Sequence, residues 1–433
     1  MKWFFVVSLC IPFYLTAQIP NPALIGYWHN WNDMNAPYIQ LDQIDNRYNI
    51  IDVSFATPQV GTDYKMEFIP DQVSPSVFIS QIQNLQSQGK KVLISIGGAN
   101  TTISLDNISE RDTFIATMNA IISTYGFDGM DIDLEGGSVS VSGGTIANPT
   151  DVKINNLIDA IKQIMNNFST ATGKRLILTM APETAFIQGG MSAYGGIWGA
   201  YLPIVDALRD SLEILHVQLY NSGSMYGIDG NIYTQGTADF IIAMTEAVIQ
   251  GFNTAGGAFA GLPEQKIAVG LPACTSAAGG GYVDTASVAA ALRYLTGIGP
   301  QPGSYVLFNP NAYPNLRGMM TWSVNWDAVA NCNGTYTYAQ NFQNLFSTST
   351  DVFESEQSNN IFTLFPNPAG DVLHIKQQHY NTFTNDAIII NHMGMQVKKQ
   401  TIKADHTTID ISDLSSGVYF IRIGEKDIAF VKQ

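Results

Sequence analysis

The sequence predicts an α/β protein: a closed (β/α)8 barrel followed by a small all-β sandwich. Three observations carry that prediction. Eight short apolar runs alternate with segments whose apolar residues recur at helical spacing, the pattern of a barrel of about 250 residues or more. One run, Gly129–Glu135, carries acids at every second position, Asp131, Asp133 and Glu135, within an otherwise buried strand. Beyond a stretch rich in Ser, Thr, Asn and Glu, the pattern changes to short strands parted by glycine turns.

Taken in order, residues 1–17 read as a signal peptide: Lys2 supplies the positive start, Trp3 to Leu15 an apolar run, and Leu15-Thr16-Ala17 a small-residue cleavage site. Cys10 lies inside that run rather than at its end, so lipid attachment is not expected. The apolar run is too short to span a membrane, and no later stretch is long enough. The barrel domain is expected over 18–346, with strands at Leu24–Trp28, Ile50–Ala56, Lys91–Gly97, Gly129–Glu135, Arg175–Ala181, Ile214–Tyr220, Lys266–Leu271 and Gly318–Ser323. Helices are expected at Pro75–Gln88, Glu110–Tyr125, Asp151–Ala171, Thr237–Gln250 and Thr285–Leu295. Residues 347–360 form a linker, and 361–433 a sandwich with strands at Val372–Lys376, Ala387–Asn391, Val397–Ile402, Thr408–Ile411 and Val418–Ile423.

Composition narrows the partners. From residue 361 onward seven basic residues balance seven acidic ones, so the whole formal net charge of −15 lies before that point. An acidic surface disfavours nucleic acid and other polyanions and suits a neutral or cationic ligand. With Cys10 removed, Cys274 and Cys332 remain as an even pair in an exported chain, and both follow strands expected to be neighbours, which allows a disulfide. Residues 1–360 hold only His29 and His216 and no close cysteine pair, so neither a zinc site nor any other metal or cofactor is expected.

The acid strand carries the chemistry. Side chains alternate along a strand, so Asp131, Asp133 and Glu135 share one face while Met130, Ile132 and Leu134 face the covering helices. Three neighbouring anions in a partly desolvated place repel one another, which raises the pKa of at least one and retains a proton there near neutrality. That is how a general acid is made. Barrel active sites gather at the C-terminal ends of the strands. There the sequence places Ser95-Ile96-Gly97-Gly98, Met180-Ala181-Pro182-Glu183, Gln218-Leu219-Tyr220-Asn221 and Thr321-Trp322-Ser323. A cup of Met, Tyr, Gln and Trp around carboxylates suits a sugar, whose ring offers an apolar face for stacking and a polar rim for hydrogen bonds.

The acid strand together with Ser95-Ile96-Gly97-Gly98, Gln218-Leu219-Tyr220-Asn221 and Trp322 resembles the family 18 glycoside hydrolases, best known as chitinases. Asp128, Gly129, Asp131, Asp133 and Glu135 fill every position of the family's acid signature. The resemblance spans about Leu24 to Phe346 and implies a substrate-assisted retaining mechanism, an exception to the usual two-carboxylate scheme. It implies Glu135 as the acid, Asp133 as the group that orients the substrate acetamide, Asp131 as the partner sharing its proton, and Tyr220 as a donor to the acetamido oxygen. Trp322 would floor the sugar, with Gln218, Met180 and Tyr27 as further contributors. Many members carry Asp where this chain has Asn221, which keeps a hydrogen-bonding shape but removes a charge. The short segment Pro272 to Arg317 holds one expected helix and lacks the wall-forming insertion of some members, which favours endo action. The implied substrate is chitin or its N-acetylglucosamine oligosaccharides. The alternatives are an endo-β-N-acetylglucosaminidase acting on N-glycan cores and a non-catalytic chitin-binding protein.

At the C-terminus Phe365-Pro366-Asn367-Pro368, Asp371-Val372-Leu373, Asn391-His392-Met393-Gly394 and Leu414-Ser415-Ser416-Gly417-Val418-Tyr419 resemble the sorting domains of the type IX secretion system of Bacteroidetes. That resemblance implies the type IX machinery as a partner and a secreted or cell-surface destination. The region has no Trp, which speaks against a carbohydrate-binding platform.

Overall fold

The computed structural model describes residues 19–346, 362–377, 385–391, 395–402, 406–423 and 426–433. The expected signal peptide and linker lie outside the described residues. The rest falls into two compact units that part at 347/348.

In the first unit, eight parallel strands are described: β1 Ala23–His29, β2 Ile50–Pro58, β3 Lys91–Gly97, β4 Gly129–Asp133, β5 Ile177–Met180, β6 Ile214–Leu215, β7 Ala268–Pro272 and β8 Gly318–Trp322. They pair in the order β7-β8-β1-β2-β3-β4-β5-β6. Single-residue parallel bridges, Leu215 to Ile267 and Gln218 to Gly270, join β6 to β7 and close the barrel. The helices of seven residues or more on its outside are α1 Pro75–Ser87, α2 Ile108–Tyr125, α3 Val152–Thr172, α4 Leu202–Leu208, α5 Ala238–Gln250, α6 Thr285–Leu295 and α7 Thr337–Phe346.

Local chemistry sets these boundaries. Ser74, Asn107, Thr237 and Asp284 cap α1, α2, α5 and α6 by accepting backbone N–H groups of the first turn. Gly126 and Gly173 end α2 and α3 in the left-handed conformation, at φ of 74° and 70°. Two structural differences from the sequence expectation matter for the site. The strand carrying the acids ends at Asp133, and Glu135 lies beyond it in extended conformation at the start of a 3-10 turn. The sixth strand is only Ile214–Leu215, and His216 to Tyr220 keep contact with both neighbours by isolated bridges and single backbone hydrogen bonds.

Alternation along the strands produces two cores. Ile25, Tyr27, Ile50, Leu93, Ile214 and Met320 fill the barrel interior. Met130, Ile132 and Leu134 lie with Phe114, Met118 and Ile158 in the layer between sheet and helices. Each fully buried aliphatic side chain contributes about 1.5–3 kcal/mol relative to exposure. Cys274 and Cys332 form a disulfide across a Cα–Cα distance of 5.4 Å. Among the described residues, no helix is long and apolar enough to cross a membrane.

The second unit is a two-sheet sandwich. One sheet orders β9 Phe362–Phe365, β10 Val372–Gln377 and β13 His406–Asp410; the other orders β12 Gln396–Ile402, β11 Asn385–Asn391, β14 Gly417–Ile423 and β15 Lys426–Lys432. Its core alternates as expected, with Leu373, Ile375, Ile389, Ile409, Ile421 and Phe430 buried. The strands β9 and β15 extend the sheets beyond the five expected from the sequence.

Candidate active site

The register of the barrel brings the acids to its mouth. Ser95 on β3 and Thr179 on β5 flank Asp131 on β4, and Gly97 flanks Asp133. A side chain at Gly97 would place its Cβ 2.2 Å from the Asp133 carbonyl oxygen, so only glycine allows β3 this close, and its φ of +104° also favours glycine. Gly98 N–H then donates to that carbonyl at 2.7 Å. Tyr201, on the turn before α4, accepts the Leu134 N–H at 2.6 Å and donates to the Leu134 carbonyl at 3.0 Å. The backbone between Asp133 and Glu135 is therefore fixed from both sides.

The carboxylates differ in surroundings. Asp131 is fully buried and accepts three hydroxyl hydrogen bonds, from Tyr27 at 2.6 Å, Ser95 at 2.7 Å and Thr179 at 2.7 Å. Burial alone would raise its pKa, but the His216 ring and the Thr179 and Tyr27 hydroxyls hold it below the usual carboxylate range. Asp133 is pushed well above that range by burial, then by the charges of Glu135 and Asp131. Glu135 is raised by burial, with hydrogen bonds from Gln218 and Asp133 pulling the other way. Asp133 and Glu135, joined through the Gln218 amide, are thus both biased toward the protonated form, above an Asp131 biased toward the ionised one.

Gln218 ties the pair together. Its Nε2 donates to Asp133 Oδ1 at 2.7 Å, to Glu135 Oε1 at 3.1 Å and to the Ala181 carbonyl at 2.9 Å. Tyr220 is buried beside them, and burial together with Asp133 and Glu135 raises its phenol pKa well above the ordinary value, so it remains a donor. A cleft of about 420 Å³ opens over Asp133, Glu135, Gln218, Tyr220, Asn221 and Trp322. Trp322 lies against Tyr27, with ring centroids 5.6 Å apart, and stacks on Phe55 at 6.0 Å.

The structure therefore brings together Asp131, Asp133, Glu135, Gln218, Tyr220, Trp322 and Tyr27, the last lying beneath the cleft and bonded to Asp131. Met180 is a correction. Thr179 points inward to Asp131, so the alternation of β5 turns Met180 outward into the layer between sheet and helices. Asn221 lines the cleft and is tied to a neighbouring loop: its N–H donates to the Gly280 carbonyl at 3.1 Å and its Oδ1 accepts the Gly280 N–H at 3.1 Å. This two-way clamp holds Asn221 at a left-handed φ of 55°, a conformation that asparagine tolerates better than most residues.

A profile described as glycosyl hydrolases family 18 matches residues 23–402. The chain belongs to glycosyl hydrolase family 18. Chitinase Chi52 of Paenibacillus xylanexedens is 47% identical over 340 residues, which cover 76% of this chain and 64% of that protein. Chitinase D of Niallia circulans is 49% identical over 322 residues, covering 72% of this chain and 60% of that protein. The chain thus spans less than two thirds of the length of either relative. The crystal structure of a family GH18 chitinase from Chromobacterium violaceum superposes with a TM-score of 0.66 at 37% identity, over 75% of this chain and 83% of that one.

Several residues of this family 18 cleft carry no motif that would single them out in the sequence. Trp31 and Phe55 line the cleft, and Trp31 also stacks on His29 with ring centroids 4.5 Å apart. Both lie at or just beyond strand ends, on β2 and after β1, where the barrel rule directs attention. Glu183, the last residue of the Met180-Ala181-Pro182-Glu183 run noted in the sequence, is half-buried, its backbone bridged to that of Gln218, and burial followed by the Glu135 charge lifts it to about 7. Thr179, Asp52 and His216 gave no local signal, because they meet Asp131 from strands distant in sequence.

Proposed function

We propose that this chain is a secreted, endo-acting chitinase that hydrolyses β-1,4 linkages between N-acetylglucosamine units by a substrate-assisted retaining mechanism. The observation that carries the reading is the ladder of carboxyls: Asp131 buried under three hydroxyl donors, then Asp133 and Glu135 joined by the Gln218 amide, opening on a cleft floored by Trp322. Glu135, at the mouth, protonates the glycosidic oxygen. As the bond breaks, the acetamido oxygen of the sugar over Trp322 attacks the anomeric carbon and forms an oxazolinium ion. Asp133 turns its carboxyl to the acetamide N–H and stabilises the positive charge, while Tyr220 donates to the acetamido oxygen. Glu135, now a carboxylate, activates the water that opens the ring and regains its proton. The chitinase names of the two relatives support this substrate class, and the open cleft, with α6 the one α-helix described between β7 and β8, supports internal cutting.

For the C-terminal unit the reading is a type IX sorting domain that directs export and is then removed, supported by its motif order and its lack of Trp. A secreted form ending near 347–360 agrees with it; an intact tail that binds chitin speaks against it.

The deciding experiment incubates the purified chain and Glu135→Gln with soluble N-acetylglucosamine oligomers and with fully deacetylated chitosan, following products by mass spectrometry. Cleavage of the acetylated oligomers by the parent alone is expected. Ready cleavage of the deacetylated polymer overturns the substrate-assisted mechanism. No cleavage of either by a folded parent overturns the chitinase reading in favour of N-glycan cores or a binding role.

A further inference from the structure

Beneath the ladder, inside the barrel, lies a second polar cluster that the mechanism above does not use. Asp52 on β2 and His216, just after β6, are both fully buried. His216 Nε2 stands 3.4 Å from Asp131 Oδ1 and 3.7 Å from Asp52 Oδ2. Neither ring nitrogen, neither Asp52 oxygen nor Ser54 Oγ has a hydrogen-bond partner. A buried polar atom left unpaired costs about 1–3 kcal/mol, so the four on His216 and Asp52 form a costly cluster that needs a compensating role.

The groups around the ring limit what that role is. Tyr27 from β1 meets it edge-on, with centroids 6.1 Å apart, and its hydroxyl is committed to Asp131. From β3 and β5 come only the hydroxyls of Ser95 and Thr179, also committed to Asp131. On the β7 side Gly270 lies against the His216 carbonyl and the Met320 methyl, neither of which brings a charge. The titratable groups facing His216 are therefore Asp52, Asp131, Tyr27 and, one step up the ladder, Asp133. Among the described residues no Lys or Arg pairs with Asp131, its one basic neighbour being this ring, and Asp133, the partner it would share a proton with, is held toward Glu135 by Gln218.

We propose that His216, backed by Asp52, is a positioning residue that keeps Asp131 ionised while Asp133 is turned toward Glu135, so that the mobile proton stays at the mouth of the barrel. The ring N–H lies between two carboxyls and can be donated to either, a small closure of the 3.4 Å gap completing a bond to Asp131. Burial, and then the Asp131 charge, push Asp52 toward its protonated form, in which it steadies the ring without competing as an anion. Without the ring Asp131 would take up a proton, and Asp133 would lose the negative partner that draws it back after each turnover. The inference rests on the proposed hydrolytic reading for its rate effect, but the state of Asp131 can be read without activity.

The test compares His216→Met, which fills the space without a donor, with His216→Gln, whose amide reaches the same point as the ring Nε2. On an N-acetylglucosamine tetramer the Met variant should lose kcat by about tenfold or more, with its acid limb at higher pH and KM within about threefold; Gln should recover most of the loss. Neither replacement titrates, so their difference in melting temperature reports the donor to Asp131 alone. Asp131 must ionise unaided in the Met variant, so that difference should widen between about pH 4 and about pH 7. An acid limb in the Met variant that coincides with the parent's, or a Gln variant no better than Met, overturns the inference. If no form of the chain cleaves the oligomer, the hydrolytic reading fails alone, and a melting difference independent of pH overturns this one as well.

Discussion

Replacing Gln218 by Met tests the proton-holding pair at one atom. Methionine matches glutamine in length and flexibility, so the buried space is refilled while both N–H donors are lost. Two hydrogens serve three acceptors: one answers the Ala181 carbonyl, and the other lies between Asp133 Oδ1 at 2.7 Å and Glu135 Oε1 at 3.1 Å. A hydrogen bond to a charged group contributes about 1.5–3 kcal/mol, so if it persists into the transition state kcat/KM should fall roughly 10- to 150-fold. The same bond pulls Glu135 down against burial. Its loss lets the Glu135 pKa rise, so the acid form survives to higher pH and the alkaline limb of the rate profile moves up. The assay is kcat/KM on a soluble oligomer from mildly acidic to mildly alkaline pH, with circular dichroism to verify folding. A folded variant within about threefold of the parent, with its alkaline limb unmoved, would refute the assignment of Gln218 as the organiser of the pair.

Two further outcomes follow from the same geometry. Glu183→Gln should have little effect on melting at acid pH and should raise it progressively through about pH 4.5 to 7: a carboxyl lifted from 4.5 to about 7 contributes stability that is present at low pH and lost as pH rises, and the amide removes that loss. A melting difference that does not change across this range, measured by scanning calorimetry, contradicts it. The disulfide closes a separation of 58 residues, so replacing both Cys274 and Cys332 by Ala should cost about 4 kcal/mol by loop-closure entropy. For a unit of this size that is a drop of roughly 6 °C in melting temperature, and adding reductant to the parent should reproduce it.

The fold was readable because barrel strands are short apolar runs with a fixed parity, and Lys91–Gly97 and Thr285–Leu295 have the bounds expected of them. The acids were readable because charges at period two in a buried strand cost too much desolvation to persist without a chemical use. Met180 went astray for a local reason: on a four-residue strand, the inward face is decided by which residue meets Asp131, and Thr179 does. The sixth strand is regular only over Ile214–Leu215, and beyond it single backbone bonds, from His216 N–H to Met180 and from Gln218 N–H to Pro182, take the place of a continuous ladder. Asp52 and His216 were hidden because they are distant in sequence, and only closure of the barrel brings their side chains together. In the sandwich, β15 was missed because its charged ends, Lys426 and Lys432, mask the apolar positions between them.

The loop clamped by Asn221 has a consequence for anyone who would re-engineer this cleft. Gly281 packs so closely that a Cβ there would lie 2.6 Å from the Tyr220 Cα, and its φ of +93° already excludes most side chains. The wall beside Tyr220 is therefore made of peptide backbone, and the aim of the phenol is set by a glycine on a different strand connection. Tyr220, Asn221, Gly280 and Gly281 thus travel as one cassette. A graft that moves the tyrosine strand without this loop, or a directed-evolution library that varies the loop as though it were a free surface, would shift the hydroxyl without touching a residue that looks catalytic.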